Sequence, residues 1–76
     1  MKELIEYMAK SLASNPDQVK VTEVDDEDGQ VVLKLEVADE DKGKIIGKQG
    51  RVAQAMRVLL RVRAVKEYVR ANLEIV

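Results

Sequence analysis

Between Lys42 and Arg51 the chain reads KGKIIGKQGR, its densest run of glycine and positive charge. Gly47 and Gly50 stand three apart, with Lys48 and Gln49 between them. Two positions without a side chain let a backbone approach a ligand closely, while the cation and the amide between them supply charge and hydrogen bonds. The chemistry on offer is anion binding. A P-loop needs four residues between its glycines and then lysine followed by serine or threonine. Here Gly43 and Gly47 enclose three, and Gln49 follows Lys48. A dinucleotide-binding turn needs a further glycine where Ile45 stands, inside a βαβ unit that 76 residues scarcely hold. What is left is G-x-x-G between two helices, the second of which presents unsatisfied N–H groups and its positive dipole end to a phosphate. Lys44 and Arg51 flank it. So short a pattern is also what a plain helix–helix turn looks like.

Other chemistries are poorly supplied. Cysteine and histidine are absent, which removes disulfides, zinc-finger sites, thiol nucleophiles and the usual neutral-pH general base. Ser11, Ser14, Thr22, the lysines, the tyrosines and the surface carboxylates form no visible set of nucleophile, base and orienting group. No catalytic residue, metal or cofactor is therefore expected. The acidic run Asp25-Asp26-Glu27-Asp28-Gly29 invites a calcium-loop alignment, but that places Val24 and Leu35 at the first and last ligand positions, and neither binds calcium.

The pattern of apolar residues supplies the elements that must hold the loop. Leu4, Ile5, Met8, Ala9 and Leu12 recur at helical spacing and predict a helix from about Lys2 to Ala13, stopped by Asn15-Pro16. From Val19 the period changes to two: Val19, Val21 and Val24, then Val31, Leu33, Leu35 and Val37, predict two half-buried strands joined by a hairpin at Asp28-Gly29. Asp39-Glu40-Asp41 supplies a cap for a short helix from about Asp41 to Ile46. After the glycines a longer helix starts near Arg51 and ends between Val65 and Tyr68. Its predicted inner face carries Val52, Ala55, Met56, Leu59 and Val62, with Arg51, Gln54, Arg57 and Arg61 largely outside. Asn72 to Val76 alternates again and predicts a last strand, which must join the sheet to satisfy its backbone.

Seventy-six residues allow a single domain, spanning 1–76. The apolar runs are too short to cross a membrane and the N-terminal segment lacks a signal peptide's apolar region, so a cytoplasmic setting is the expectation. The formal charge of -1 conceals a split. Residues 1–40 carry four Lys/Arg against eleven Asp/Glu, a net of -7, and residues 41–76 carry nine against three, a net of +6. Because local potential steers an anion within a Debye length of roughly 8–10 Å, an acidic total does not exclude nucleic acid.

Ile45-Ile46-Gly47-Lys48-Gln49-Gly50, set between two helices and beside an antiparallel sheet, resembles the signature of the KH RNA-binding domain, whose GXXG loop clamps four backbone nucleotides. The element order is similar to the type II arrangement, and the whole length is similar to the small standalone bacterial KH proteins of the KhpA family. The resemblance implies an α+β fold with a three-stranded sheet packed on three helices, in the order helix-strand-strand-helix-GXXG-helix-strand. It implies that Gly47, Lys48, Gln49 and Gly50 contact the sugar-phosphate backbone of single-stranded RNA, flanked by Lys44 and Arg51. Ile45 would line an apolar groove for bases, Ile46 would anchor the helix in the core, and the strand of Val31 to Val37 would form the other wall, with Lys34 or Glu36 at base edges. Arg57 would meet a phosphate or remain a solvated helix residue; Arg61, Arg63, Lys66 and Arg70 lie further along. The same resemblance implies a homodimer, or a heterodimer with a second KH protein. The competing expectation is a protein–protein assembly module in which G-x-x-G is only a turn; it accounts better for the acidic first half.

Overall fold

The computed structural model describes residues 1–76. Three helices, α1 (Lys2–Leu12), α2 (Lys42–Ile46) and α3 (Arg51–Lys66), and three strands, β1 (Lys20–Asp25), β2 (Gln30–Glu36) and β3 (Arg70–Ile75), follow one another as α1-β1-β2-α2-α3-β3. Single 3₁₀ turns at Pro16–Gln18, Asp39–Asp41 and Lys48–Gly50 link them. The fold is α+β, with the element order expected from the sequence. The sheet runs β1-β2-β3, with β1 antiparallel and β3 parallel to β2.

Period-two alternation divides the sheet cleanly. Val31, Leu33 and Leu35 of β2 are buried together with Val21 and Leu73 from its neighbours, and against them pack Ile5 and Ala9 of α1, Ile45 of α2, and Met56 and Leu60 of α3. The opposite face stays open. There the register sets Lys20 beside Glu36 and Thr22 beside Lys34, and Lys34 beside Glu74. Lys34 and Glu36 thus project away from the helices, and β2 is flanked on both sides. The expectation that Lys34 or Glu36 reaches base edges on the helix side of the sheet therefore fails.

The hairpin turns on Gly29, whose φ of 78° is easy only without a side chain. Asp26 secures it: its Oδ1 accepts from the N–H groups of Asp28 at 2.9 Å and Gln30 at 2.8 Å. The acidic run is therefore a turn with a built-in carboxylate brace.

Two faces differ from expectation. In α3 the buried residues are Ala53, Met56, Leu60 and Ala64, about one residue step, or roughly 100°, around from the predicted stripe. Small Ala53 and Ala64 let the helix lie close on the sheet, while Leu59, Val62 and Val58 are about half exposed. In α2 the roles of the isoleucines are reversed. Ile45 is fully buried and Ile46 is 41% exposed; Ile45 cannot line an open groove, because its side chain is spent in the core.

One long-range tie positions α2. Asp41 precedes it, yet its carboxylate makes no cap to the helix. Instead Oδ1 accepts from Ser14 N–H and Oδ2 from Asn15 N–H, both at 2.9 Å, and Asn15 Nδ2 also donates to Oδ2 at 3.2 Å. Lys44 Nζ lies 4.0 Å from Oδ1. The carboxylate is fully buried, and every hydrogen bond that replaces its lost water comes from Ser14 and Asn15 in the turn after α1, with Lys44 adding only charge at longer range. The Ser14 N–H foremost, then the Asn15 donors and Lys44, hold its pKa below the ordinary value of 3.8, against burial, which pushes it up. A lowered folded-state pKa contributes stability that is complete above the unfolded value and disappears as pH falls through the folded one. Asp41→Asn is expected to lower the thermal midpoint at pH 7 and to flatten its decline below about pH 4, as followed by circular dichroism.

Candidate nucleic-acid interface

The turn between α2 and α3 places three positive-φ residues within four. Gly47 has φ 76° and ψ 172°, a region open essentially to glycine alone. Gln49 follows at φ 57° and ψ 24°, and Gly50 at φ 72° and ψ 15°. The two glycines serve different ends. A Cβ on Gly47 would collide with the Val52 side chain and stand 3.0 Å from its backbone nitrogen, whereas one on Gly50 would meet nothing within 4 Å. Gly47 is thus fixed by a close approach as well as by its dihedral angles, and Gly50 by its dihedral angles alone.

This path exposes donors. The Gly47 N–H is used by Gly43 O at 2.8 Å and the Gly50 N–H by Gly47 O at 3.1 Å, but the N–H groups of Lys48 and Gln49 donate to no group in the protein, and both residues are exposed. Gly50 is the N-cap of α3, so no side chain caps the helix, and its first turn holds no acidic residue. A helix start ordinarily favours negative charge. Here Arg51 and Lys48 stand there instead, so the charge that the protein places beside the helix's positive end is itself positive. Arg51 Nη2 donates to Gln49 Oε1 at 3.1 Å, which orients the guanidinium over the loop.

Of the residues expected at the site, Gly47, Lys48, Gln49, Gly50 and Arg51 are therefore brought together on one exposed turn. Lys44 is not free to join them as a simple flank: its ammonium donates to Ser14 Oγ and pairs with Asp41. Ile45 lies in the core, and Ile46, immediately before Gly47, is the exposed apolar neighbour of the loop. Arg57 and Arg61 of α3 border a shallow groove with Ala71, Asn72 and Leu73 of β3. The Asp41 tie has no local signature in the sequence, since its partners stand 26 and 27 residues away.

A second surface is apolar. Tyr7, Met8 and Leu12 of α1 face Val52, Ala55 and Leu59 of α3 across an open groove of about 340 Å³. No helix is long and apolar enough to cross a membrane.

Residues 2–75 match the family model described as KhpA/KhpB, KH domain. The chain is similar to proteins named RNA-binding protein KhpA from several bacteria. That of Clostridium acetobutylicum is 51% identical over 76 residues, covering all of both chains. That of Clostridium perfringens is 47% identical, again over all of both chains. That of Treponema pallidum is 47% identical over 75 residues, covering 99% of this chain and 92% of the other. Among solved structures, Era of Aquifex aeolicus superposes with a TM-score of 0.63 at 21% identity over 97% of this chain. An Era complex with MgGDPNP and nucleotides 1506–1542 of 16S ribosomal RNA gives 0.62 at the same identity. The chain spans 28% of either Era chain, and the likeness is one of fold.

The distinct roles of the two glycines are separable by mutation. Gly47→Ala is expected to cost about 3 kcal/mol or more in urea unfolding, from the clash and the glycine-only dihedrals together, against about 1 kcal/mol for Gly50→Ala.

Proposed function

The chain belongs to the KhpA/KhpB KH-domain family, and from that premise we propose that it binds short single-stranded RNA by seating phosphates on the turn from Gly47 to Arg51. The observation that carries this reading is the pair of unengaged N–H groups at Lys48 and Gln49, set at an uncapped helix start without an acidic residue in its first turn. Backbone donors do not distinguish bases, so the turn supplies affinity and register, and the apolar Ile46 beside it supplies contact for a base. Nothing in this scheme asks for a bond to be made or broken; the protein works by binding, in the cytoplasm, as a single KH domain over 1–76.

A partner enters through the other surface. The groove between α1 and α3, with Val58 and Val62 beyond its rim, leaves more large apolar side chain in water than a lone domain of this size has reason to keep. It supports pairing with a second copy or with another KH protein. Two loops on one RNA would then raise avidity through effective concentration, without any new contact to the RNA.

Replacing Lys48 and Gln49 together by aspartate places two negative charges where phosphate is proposed to sit. RNA affinity measured by fluorescence anisotropy is expected to be lost while the thermal midpoint stays nearly unchanged; undiminished binding removes the turn from the site. In the unaltered protein, log affinity against log salt should fall with a slope of roughly -3 for four phosphates. Leu59→Glu is expected to reduce self-association in sedimentation while the isolated domain keeps its fold.

A further inference from the structure

Beyond the glycine turn, we propose that Tyr68 receives a nucleobase of the same bound strand, forming a second contact at the far end of α3; this rests on the RNA-binding reading above. The helix closes there in a Schellman arrangement. Tyr68 N–H donates to Val65 O at 3.1 Å and Val69 N–H to Ala64 O at 3.0 Å, which makes Tyr68 the residue that must turn left-handed, at φ 59°. Glycine is the usual occupant of that position. A tyrosine in its place is strained, and its side chain, 96% exposed, gains no packing in return. A large aromatic ring held in water on a strained backbone is explained by what it meets outside the protein.

The path to it is marked by charge. On a helix of 3.6 residues per turn, Gly50, Gln54, Arg57 and Arg61 fall on one flank of α3, the one beside β3, and Tyr68 stands just past the end of that line. Arg57 and Arg61 make no ion pair, nor does Arg70 at the start of β3, whereas Arg63, on another side of the helix, is held by Glu67 at 2.9 Å. Three free guanidinium groups thus run from the turn to the ring. Tyr68 and Arg70 border an open cleft with Gln30 and Asp28. A carboxylate on that rim repels phosphate but accepts from an amino group, so the cleft suits the edge of a base, while the phosphates stay on the arginine side. Stacking on a tyrosine needs no particular base.

The test compares a tetranucleotide, which the glycine turn can hold alone, with a decamer long enough to reach the ring. In a Tyr7→Phe background Tyr68 is the sole tyrosine, and its fluorescence should be quenched by the decamer and not by the tetranucleotide. Tyr68→Ala should weaken the decamer about tenfold and leave the tetranucleotide unchanged, with Tyr68→Phe close to the parent. Tyr68→Gly should lose the same tenfold while raising the thermal midpoint, because it relieves the left-handed residue; a fold defect cannot produce that combination. Equal decamer affinity for the parent and Tyr68→Ala overturns the proposal and leaves the glycine turn as the whole site. So does a change in sedimentation on Tyr68→Ala with RNA affinity intact, which would make the ring a protein contact. Failure of the parent protein to bind either oligonucleotide overturns both this proposal and the RNA-binding reading.

Discussion

The contact between the Gly47 backbone and Val52 governs the arrangement of everything near the candidate site. Because position 47 has no side chain, the chain can leave α2, reverse, and begin α3 with Val52 packed directly against the turn. That proximity forces the sequence of left-handed residues that follows, and with it the outward presentation of the Lys48 and Gln49 amides. A side chain at Gly47 would push the helices apart and let the first turn of α3 rotate, and the unengaged donors would no longer share one exposed corner. The loop's chemistry is a consequence of how tightly two helices approach.

That approach is held from behind by Asp41. Since α2 has only five residues, it cannot be stable through its own hydrogen bonds. Ile45 anchors it in the core, and the Asp41 carboxylate fastens its start to the turn after α1. A buried carboxylate satisfied by three hydrogen bonds tolerates little displacement, since any donor withdrawn leaves charge uncompensated in a dry site. It also draws Lys44 away from the loop, so the positive charge that faces solvent at the turn comes from Lys48 and Arg51. Helix α2, the glycine loop and the turn after α1 therefore act as one unit, although only the loop carries the recognisable pattern.

How much of this was legible in the sequence depended on how local each signal was. The switch from helical to alternating period placed the elements to within about two residues, Gly29 marked the hairpin, and the paired glycines marked a close backbone approach without disclosing the left-handed path through Gln49. The inner face of α3 was not legible, because ten of its sixteen residues are apolar and periodicity then allows more than one choice; which stripe turns inward is decided by the small residues that fit the sheet. The two isoleucines of α2 were misassigned for a related reason, since a five-residue helix holds too few turns to define a face. Asp41 looked like a cap because caps are local, and its true partners lie far along the chain. Tyr68 gave no signal as a sequence position; its interest comes from a backbone angle.

The open edge of β1 gives the acidic first half of the chain a use of its own. An edge strand carries unpaired backbone groups that invite a strand from another molecule. On β1, Glu23 and Asp25 are exposed and lead straight into the acidic hairpin, so copies stacking parallel and in register, as in a fibril, would set like charges beside one another along the seam. Fibrillar growth through this margin is discouraged by repulsion, without a covering helix or an added proline. The apolar helix flank can then meet one partner while the sheet margin is kept from adding further copies, and the lopsided charge is what separates the two outcomes.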